Sequence, residues 1–326
     1  MKSKTGSMPL VSILLAVYNP NIKWLEELLQ SLNNQTYSNL ELIIWDDCPE
    51  HNVDENIFNK NITNFPYRLH RGDENLGSDK AFERLTEFAQ GVYVAYCDQD
   101  DIWLPEKISV CENTIIQEDA ELVCSDLIVM NENGKIITNS ITKLRKRHIF
   151  YSGYKLAPKL IVDNFIMGCT VLMKTSIAKK AIPFSKYYWH DAWLGVVASL
   201  HGKIISIKEP LLLYRRHQLN QTGLWHGINC KDDYINKKSK HLYDMVKCLS
   251  DITWLKKKLP EKEYSELLIW SKAKWEYLQN PNLADLRKII KYKHYSLTRS
   301  FMDILLPFVP DFLFKGIISL YKNGRI

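Results

Sequence analysis

Residues 11–47 read VSILLAVYNPNIKWLEELLQSLNNQTYSNLELIIWDD. Val11 to Val17 is an unbroken apolar run stopped by Tyr18-Asn19-Pro20, the pattern of a buried strand ended by turn residues. Trp24, Leu25, Leu28, Leu29 and Leu32 then recur at helical spacing. After the polar stretch Asn33 to Asn39, a second apolar run, Leu40 to Trp45, is closed by Asp46-Asp47. Strand, helix and strand in this order predict parallel pairing with a helix laid over the sheet.

The same alternation continues outward. A short strand at Tyr67 to His70 precedes a helix from about Ser78 to Ala89, and Tyr93 to Cys97 is a strand closed by Asp98. The expected fold class is α/β, a Rossmann-like sheet covered by helices on both faces. In such sheets the ligand crevice lies outside the carboxyl ends of the strands. Tyr18-Asn19, Asp46-Asp47 and Asp98, Asp100, Asp101 all stand at such ends, so residues distant in sequence are expected on one rim. Further on the pattern becomes mixed. Strands are expected at Leu122 to Met130, Lys135 to Thr138 after an Asn-Gly turn, Gly168 to Met173, Lys203 to Ile207 and Leu211 to Arg215. A helix is expected over Asp191 to Leu200, and Lys143 to His148 reads as a basic loop. From about Lys231 the chain is helical and rich in lysine and tryptophan, so the division expected is a 9–229 domain and a 230–326 helical extension.

Composition agrees with a globular chain. Its 326 residues are 46% hydrophobic with only 13 Gly and 12 Pro, which excludes disordered and collagen-like classes. The seven cysteines are scattered, never in a C-x-x-C arrangement, and MKSKTGSMPL runs into the first strand without a signal-type apolar segment, so a cytoplasmic protein with reduced thiols is expected. Charge is uneven: residues 231–326 hold 19 Lys+Arg against 11 Asp+Glu, while the whole chain carries 43 against 37. The entire positive excess lies in the extension, which suits an acidic partner surface.

The strongest local chemistry is Cys97-Asp98-Gln99-Asp100-Asp101, three carboxylates at the end of an apolar strand. Like charges this close favour a cation, and oxygen ligands select a hard one, Mg²⁺ or Mn²⁺, with positions left for substrate phosphates. The alternative is an acidic loop in which one Asp caps the helix after Pro105. Asp191, after Trp189-His190, reads as a first-turn acid favoured by the helix dipole or as a general base.

Together these stretches resemble one family. VSILLAVYN (11–19), QTYSNLELIIWDD (35–47), ENLGSDKAFERL (74–85), GVYVAYCDQDDIWLPEKI (91–108), WHDAWL (189–194) and LYRRHQLNQTG (213–223) look like the motifs of family 2 inverting glycosyltransferases. Those enzymes move a sugar from a nucleotide diphosphate donor on the fold called GT-A. The resemblance covers roughly residues 9–225, in the family's order and spacing. The HDAWL and YRRHQLNQTG forms are most similar to the rhamnosyltransferase-like branch of bacterial surface polysaccharide synthesis.

The resemblance implies that Ala16, Tyr18 and Asp47 hold the nucleotide base, that Asp98 meets the ribose, and that Asp100 binds the metal bridging the diphosphate. Asp101 would support that metal through water or cap the next helix. Asn75 and Gly77 lie in a turn that sets the following helix beside the donor, with Lys80 or Arg84 able to approach the diphosphate or, as the readier reading, lying on a solvated helix face. The chain departs from its relatives here, with Ala81 where many carry Asn and a more polar opening, Ser78-Asp79-Lys80. Asp191 matches the position of the base that takes a proton from the acceptor hydroxyl, and His190 orients it, meets acceptor or simply packs. Gly168 and Cys169 fall on the acceptor side. The segment with Arg215, Arg216 and His217, continuing through Gln218 to Gly223, closes over the diphosphate in the family, with the histidine completing the metal shell. An imidazole among carboxylates favours Mn²⁺ over Mg²⁺. The donor implied is dTDP-rhamnose or a UDP-hexose, and the acceptor a glycan or polyprenyl-linked oligosaccharide at the cytoplasmic face.

Phe301 to Leu320 is long and apolar enough to suggest a membrane span, but Asp303, Asp311 and Lys315 would each cost a few kcal/mol at the bilayer centre and Pro307 and Pro310 break the helix. Short interfacial helices beside Arg287, Lys288, Lys291, Lys293 and Arg299 are expected instead, in peripheral contact with anionic lipid, or else a helical lid. Nucleic acid is not an expected partner. A sugar nucleotidyltransferase should carry a glycine-rich loop after the first strand, and AVYNPN (16–21) has no glycine. A non-enzymatic basic adaptor explains the extension and leaves Asp47, Asp98, Asp100 and Asp191 without a purpose.

Overall fold

The computed structural model describes residues 8–145, 148–217, 220, 227–252 and 258–322. It divides into two compact units, Met1–Leu156 with Phe165–Gln218, and Ala157–Asn164 with Leu219–Ile326. Residues 157–164, inside the range expected for the first domain, thus belong to the second unit.

Nine strands of the first unit form one sheet among the described residues. They are β1 (Val11–Val17), β2 (Leu40–Asp46), β3 (Tyr67–Arg71), β4 (Tyr93–Cys97), β5 (Ile102–Trp103), β6 (Ala120–Asn131), β7 (Ile136–Thr138), β8 (Val171–Lys174) and β9 (Lys203–Arg216). The order is β3-β2-β1-β4-β8-β6-β9-β5, with β7 added to β6. β1 to β4 pair in parallel, as the opening stretch requires. β8 runs antiparallel to both of its neighbours, β9 is parallel to β6, and β5 is antiparallel to β9. The α/β class holds, with the mixed half that the later pattern indicated.

Helix α1 (Ile22–Asn33) begins at Asn21, whose side chain accepts the Trp24 N–H, and it buries Leu25, Leu28, Leu29 and Leu32. α2 (Asn56–Asn61), α3 (Ser78–Phe88), α4 (Lys107–Gln117), α5 (Ile141–Leu144), α7 (Thr175–Ala178) and α8 (His190–His201) complete this unit, while α6 (Ala157–Val162) belongs to the other. Both faces of β1 and β2 are buried, which explains runs too apolar to alternate.

Three local expectations change. Gly168–Thr170 is a 3₁₀ turn and only Val171–Lys174 is strand, because the chain must bend before it pairs with β4 and β6. The two late strands are one, β9, in which Lys208 and Glu209 sit exposed beside register shifts that accommodate Pro210. β5 was not anticipated. Two residues long, it folds the chain after Asp101 back onto Leu212 and Leu213 of β9, so the acidic motif ends beside the last residues of that strand.

The second unit is helical: α6, α9 (Lys231–Tyr234), α10 (His241–Cys248), α11 (Glu261–Gln279), α12 (Leu283–Lys291), α13 (Leu297–Leu305) and α14 (Asp311–Lys322). Ile228, Tyr234, Leu278, Leu306, Phe314 and Ile318 share one core. Inside it Lys274 and Asp303, 2% and 1% exposed, pair at 3.0 Å. The Tyr234 hydroxyl donates to Asp303 Oδ1 at 2.7 Å, and Lys274 Nζ lies 4.1 Å from the centre of the Trp270 ring. Among the described residues no helix is long and apolar enough to cross a membrane.

Candidate active site

The carboxyl ends of β1, β2 and β4 meet on the rim. Tyr18, just past β1, is 52% exposed. Its backbone is held on both sides by one side chain: the Tyr18 N–H donates to Gln99 Oε1 at 2.8 Å, and Gln99 Nε2 donates to the Tyr18 carbonyl at 3.1 Å. Ala16 is half-buried at the end of β1, in register with Trp45 of β2.

Asp47 is buried, and its carboxylate clamps the turn before α3. Oδ1 accepts the Trp45 indole N–H at 3.0 Å and the Leu76 N–H at 2.9 Å, and Oδ2 accepts the Gly77 N–H at 2.8 Å. Asn75 Oδ1 also accepts from Gly77, at 2.9 Å. Gly77 sits at φ 76°, a left-handed position that glycine adopts without strain. Lys80 and Arg84 are ion-paired along α3, with Glu83 at 2.8 Å and Glu87 at 3.0 Å, their side chains about half exposed. Both thus lie on the solvated face of the helix, paired with a neighbour one turn on.

The acidic motif is drawn together by β9. Asp101 is fully buried; its Oδ1 accepts the Arg215 N–H at 3.1 Å, and its carboxylate also takes a hydrogen bond from the Cys169 thiol. Arg215, 2% exposed, donates from Nε to the Asp100 carbonyl at 2.9 Å and from Nη2 to Glu27 of α1 at 2.5 Å, and its guanidinium lies 5.2 Å from the Trp24 ring centre. Asp100 Oδ2 lies 2.5 Å from His217 Nε2, whose ring packs against Trp24 at 4.8 Å. Of the two arginines expected near the site, Arg215 is buried in this network and Arg216 is exposed. Gln218, Leu219 and residues 221–223, expected over the diphosphate, lie outside the described residues.

Electrostatics follow from this crowding. Burial, then Asp100, push the half-buried Asp98 up to about 6, with Asp191 adding and His190 and Lys107 opposing. Burial, then Asp100 and Asp98, hold Asp101 well above the usual carboxylate range. Ligand atoms of Asp98, Asp101 and Cys169 lie within 4.8 Å of one another. Burial and Asp101 keep the Cys169 thiol protonated, and a neutral thiol is a poor ligand, so the hard oxygen donors are the ones that suit a cation. Carboxylates that raise one another's pKa at so short a range fit a divalent ion. Beneath it Lys107, 1% exposed, donates to the Cys169 carbonyl at 2.7 Å, and burial lowers its pKa to about 8.

A pH effect follows. Asp98 stands at about 6 in the folded chain against roughly 3.9 for a free carboxyl. Its contribution to stability is complete below the lower value and is lost as pH rises through the higher one. Asp98→Asn should therefore raise the melting temperature of metal-free protein at pH 8 by more than at pH 5, as scanning calorimetry at the two pH values would show.

Across the 3₁₀ turn lies Asp191, the first-turn acid of α8. Its Oδ1 accepts the Ala192 N–H at 2.5 Å, and the carboxylate also takes a hydrogen bond from the Gly168 backbone. Burial raises its pKa, against the lowering by His190 and by these two N–H groups. His190 is packed on Phe82 with ring centres 4.3 Å apart, and its N–H donates to Asp79 Oδ1 at 2.8 Å. Gln99, Asp79, Glu27, Trp24 and Lys107 are the site residues that the sequence did not single out; only the position of Gln99 between the aspartates hinted at it.

Residues 12–180 match the family described as Glycosyl transferase family 2. Over 247 residues the chain is 28% identical to an uncharacterised glycosyltransferase of Methanocaldococcus jannaschii, covering 72% of this chain and 77% of that one. It is 22% identical over 217 residues to the Escherichia coli UDP-Glc:alpha-D-GlcNAc-diphosphoundecaprenol beta-1,3-glucosyltransferase WfgD, with 66% and 79% covered. With the dTDP-rhamnosyl transferase RfbG of Shigella flexneri it shares 26% over 227 residues, 64% and 73% covered. Among solved structures, S. aureus TarS in complex with UDP-GlcNAc superimposes with a TM-score of 0.57 at 13% identity, covering 97% of this chain and 92% of that one. A mannosyltransferase from Pyrobaculum calidifontis with GDP-Man and Mn²⁺ gives 0.54 at 14%, covering 97% and 82%. The sheet is thus of the GT-A kind, its acidic rim lies where the strand ends placed it, and the chain belongs to glycosyl transferase family 2.

Proposed function

We propose that this chain is an inverting, metal-assisted hexosyltransferase that adds a sugar from a nucleotide diphosphate donor to a hydroxyl of a lipid-linked bacterial surface glycan. One observation carries the reading. Within a single turn, the Gly168 backbone bonds the Asp191 carboxylate and Cys169 lies against Asp98 and Asp101, so a candidate base and the acid cluster flank the same three residues.

In this reading Tyr18 offers its ring to the nucleotide base, and Gln99 keeps the backbone of that residue in place. Asp47 holds the turn at Asn75 to Gly77 against the same rim. Asp98, Asp100, Asp101 and His217 are the residues that would hold Mn²⁺ or Mg²⁺, which supplies charge neutralisation for the departing nucleotide diphosphate. Asp191 accepts the acceptor hydroxyl proton as that oxygen bonds the anomeric carbon and the bond to the diphosphate breaks on the opposite face. Its raised pKa makes it a better base than a free carboxylate. The donor is dTDP-rhamnose or a UDP-hexose, and the named relatives act on both nucleotide classes.

Thermal stability with Mn²⁺ or Mg²⁺ against UDP, dTDP and GDP, repeated in EDTA, tests the donor site. A metal-dependent rise with UDP or dTDP is expected, and Asp100→Ala should abolish most of it. No rise with any nucleotide overturns the reading.

The same reading places the enzyme at an anionic membrane surface. Leu297, Phe301 and Leu305 recur at helical spacing along α13, Phe308 ends the 3₁₀ turn that follows and Phe312 lies in the first turn of α14; Phe301, Phe308 and Phe312 are 65%, 71% and 72% exposed. Arg287, Lys291, Lys293 and Lys315 are exposed in the same helical unit, a sign complementary to anionic headgroups. The wild type should float with vesicles containing phosphatidylglycerol and not with phosphatidylcholine alone, and Phe301→Glu with Phe308→Glu should stay in the soluble fraction.

A further inference from the structure

Resting on the assignment of Asp191 as base, we propose that Asp79 is a positioning residue for it, acting through His190: a carboxylate at the start of α3 caps and orients the start of α8. The residue before α8 is Trp189, which has no side-chain oxygen and makes no capping bond. The first N–H of that helix, from His190, is instead taken by Asp79 Oδ1 at 2.8 Å, across 111 residues of sequence. The same oxygen stands 3.3 Å from His190 Nδ1, so backbone and ring of one residue are held by one acceptor. A carboxylate at this point also lies at the positive ends of two helices, since Asp79 is the first-turn acid of α3 and the cap of α8.

The imidazole is fixed on its other sides as well. Phe82 packs on it at 4.3 Å and Tyr96 at 5.9 Å. Gly168 leaves the space that Nε2 fills, for a Cβ there would stand 2.6 Å from that nitrogen. Nε2 itself is buried with no hydrogen-bond partner among the described residues. Burial lowers the His190 pKa, but the Asp79 hydrogen bond and the charges of Asp191, Asp79 and Asp98 raise it overall, and the Nδ1 proton faces Asp79. Gly168 is also the residue whose backbone bonds Asp191, so ring, turn and base are in one chain of contacts: Asp79, His190, Gly168, Asp191. The polar opening Ser78-Asp79-Lys80 has its explanation here.

Asp79→Ala should slow nucleotide release from UDP-glucose, UDP-GlcNAc or dTDP-rhamnose roughly tenfold to a hundredfold at saturating donor, with the donor KM within about twofold. Asp79→Asn keeps an oxygen acceptor for both donors and should restore most of the rate. In protein labelled with ¹⁵N-histidine and titrated to a pH at which the ring is neutral, the remaining His190 proton should sit on Nδ1 in the wild type and in Asp79→Asn, and lose that preference in Asp79→Ala; this readout needs no substrate and separates positioning from a general loss of stability. Wild-type turnover with an unchanged His190 spectrum in Asp79→Ala overturns the proposal. Asp191→Asn run in parallel distinguishes the two levels: if it turns over normally the base assignment falls and this proposal with it, whereas an inert Asp191→Asn beside a fully active Asp79→Ala removes the positioning role alone.

Discussion

Asp191→Asn should retain the stabilisation that Mn²⁺ and nucleotide confer and lose transfer by roughly 10²–10⁴-fold, the range that a positioned general base contributes. The substitution keeps side-chain size and an oxygen able to accept the Ala192 N–H and the Gly168 backbone bond, so the first turn of α8 survives. What it removes is the capacity to take a proton. A displacement that forms the new glycosidic bond without relieving the attacking oxygen of its proton would build a cationic oxygen beside the anomeric centre. The check is a rate of nucleotide release with acceptor present, set beside a thermal shift with metal and nucleotide. Full transfer by Asp191→Asn would show that the proton leaves by another route.

The largest effect on stability is expected in the helical unit. Lys274→Met removes one half of a buried pair and leaves Asp303 charged, 1% exposed and with only the Tyr234 hydroxyl known to donate to it. Breaking such a pair from one side costs about 3–5 kcal/mol, because the remaining charge stays desolvated. Burial already lowers the Lys274 pKa, with Asp303 opposing. The double variant Lys274→Met with Asp303→Leu should recover much of the loss, since an apolar pair of similar volume is often neutral or better. Urea unfolding followed by tryptophan fluorescence, to which Trp270 contributes, would measure both. The pair also explains why Asp303 interrupts an otherwise apolar segment: it is a core residue of this unit with a cation of its own.

How much of this was legible in the sequence depended on the range over which each residue finds its partner. β1, β2 and β4 declare themselves because both faces are buried and each run stops at a polar rim residue, so Tyr18, Asp47 and Asp98 were placed before any coordinates. The roles of Asp79 and Gln99 were not, because the groups they hold lie 111 and 81 residues away; the polar opening at Asp79 was visible without its partner. The sequence leaves open which of Arg215 and Arg216 is buried, for a different reason. Their facing is fixed by the register of β9, and that register shifts on either side of Pro210, where period-two counting from the start of the strand no longer applies. Lys80 and Arg84 illustrate the reverse case: an i,i+3 carboxylate stood beside each in the sequence, and those local partners are the ones they take.

The debt of Asp101 to Arg215, and of Asp100 to His217, has a bearing on how the chain is made. During synthesis the three aspartates emerge more than a hundred residues before the basic groups that bond them, and Glu27 waits longer still for its partner. Until β9 docks, the nascent sheet carries a cluster of acids at its rim with none of these bonds made. Parallel strands and long loop closures already make such sheets slow to complete. A fragment ending near residue 180, although it would contain every residue of the family match, would therefore expose an uncompensated acidic rim and an unpaired edge at β6. Expression trials that trim this protein to its recognisable motifs should expect aggregation, and the useful cut lies beyond His217.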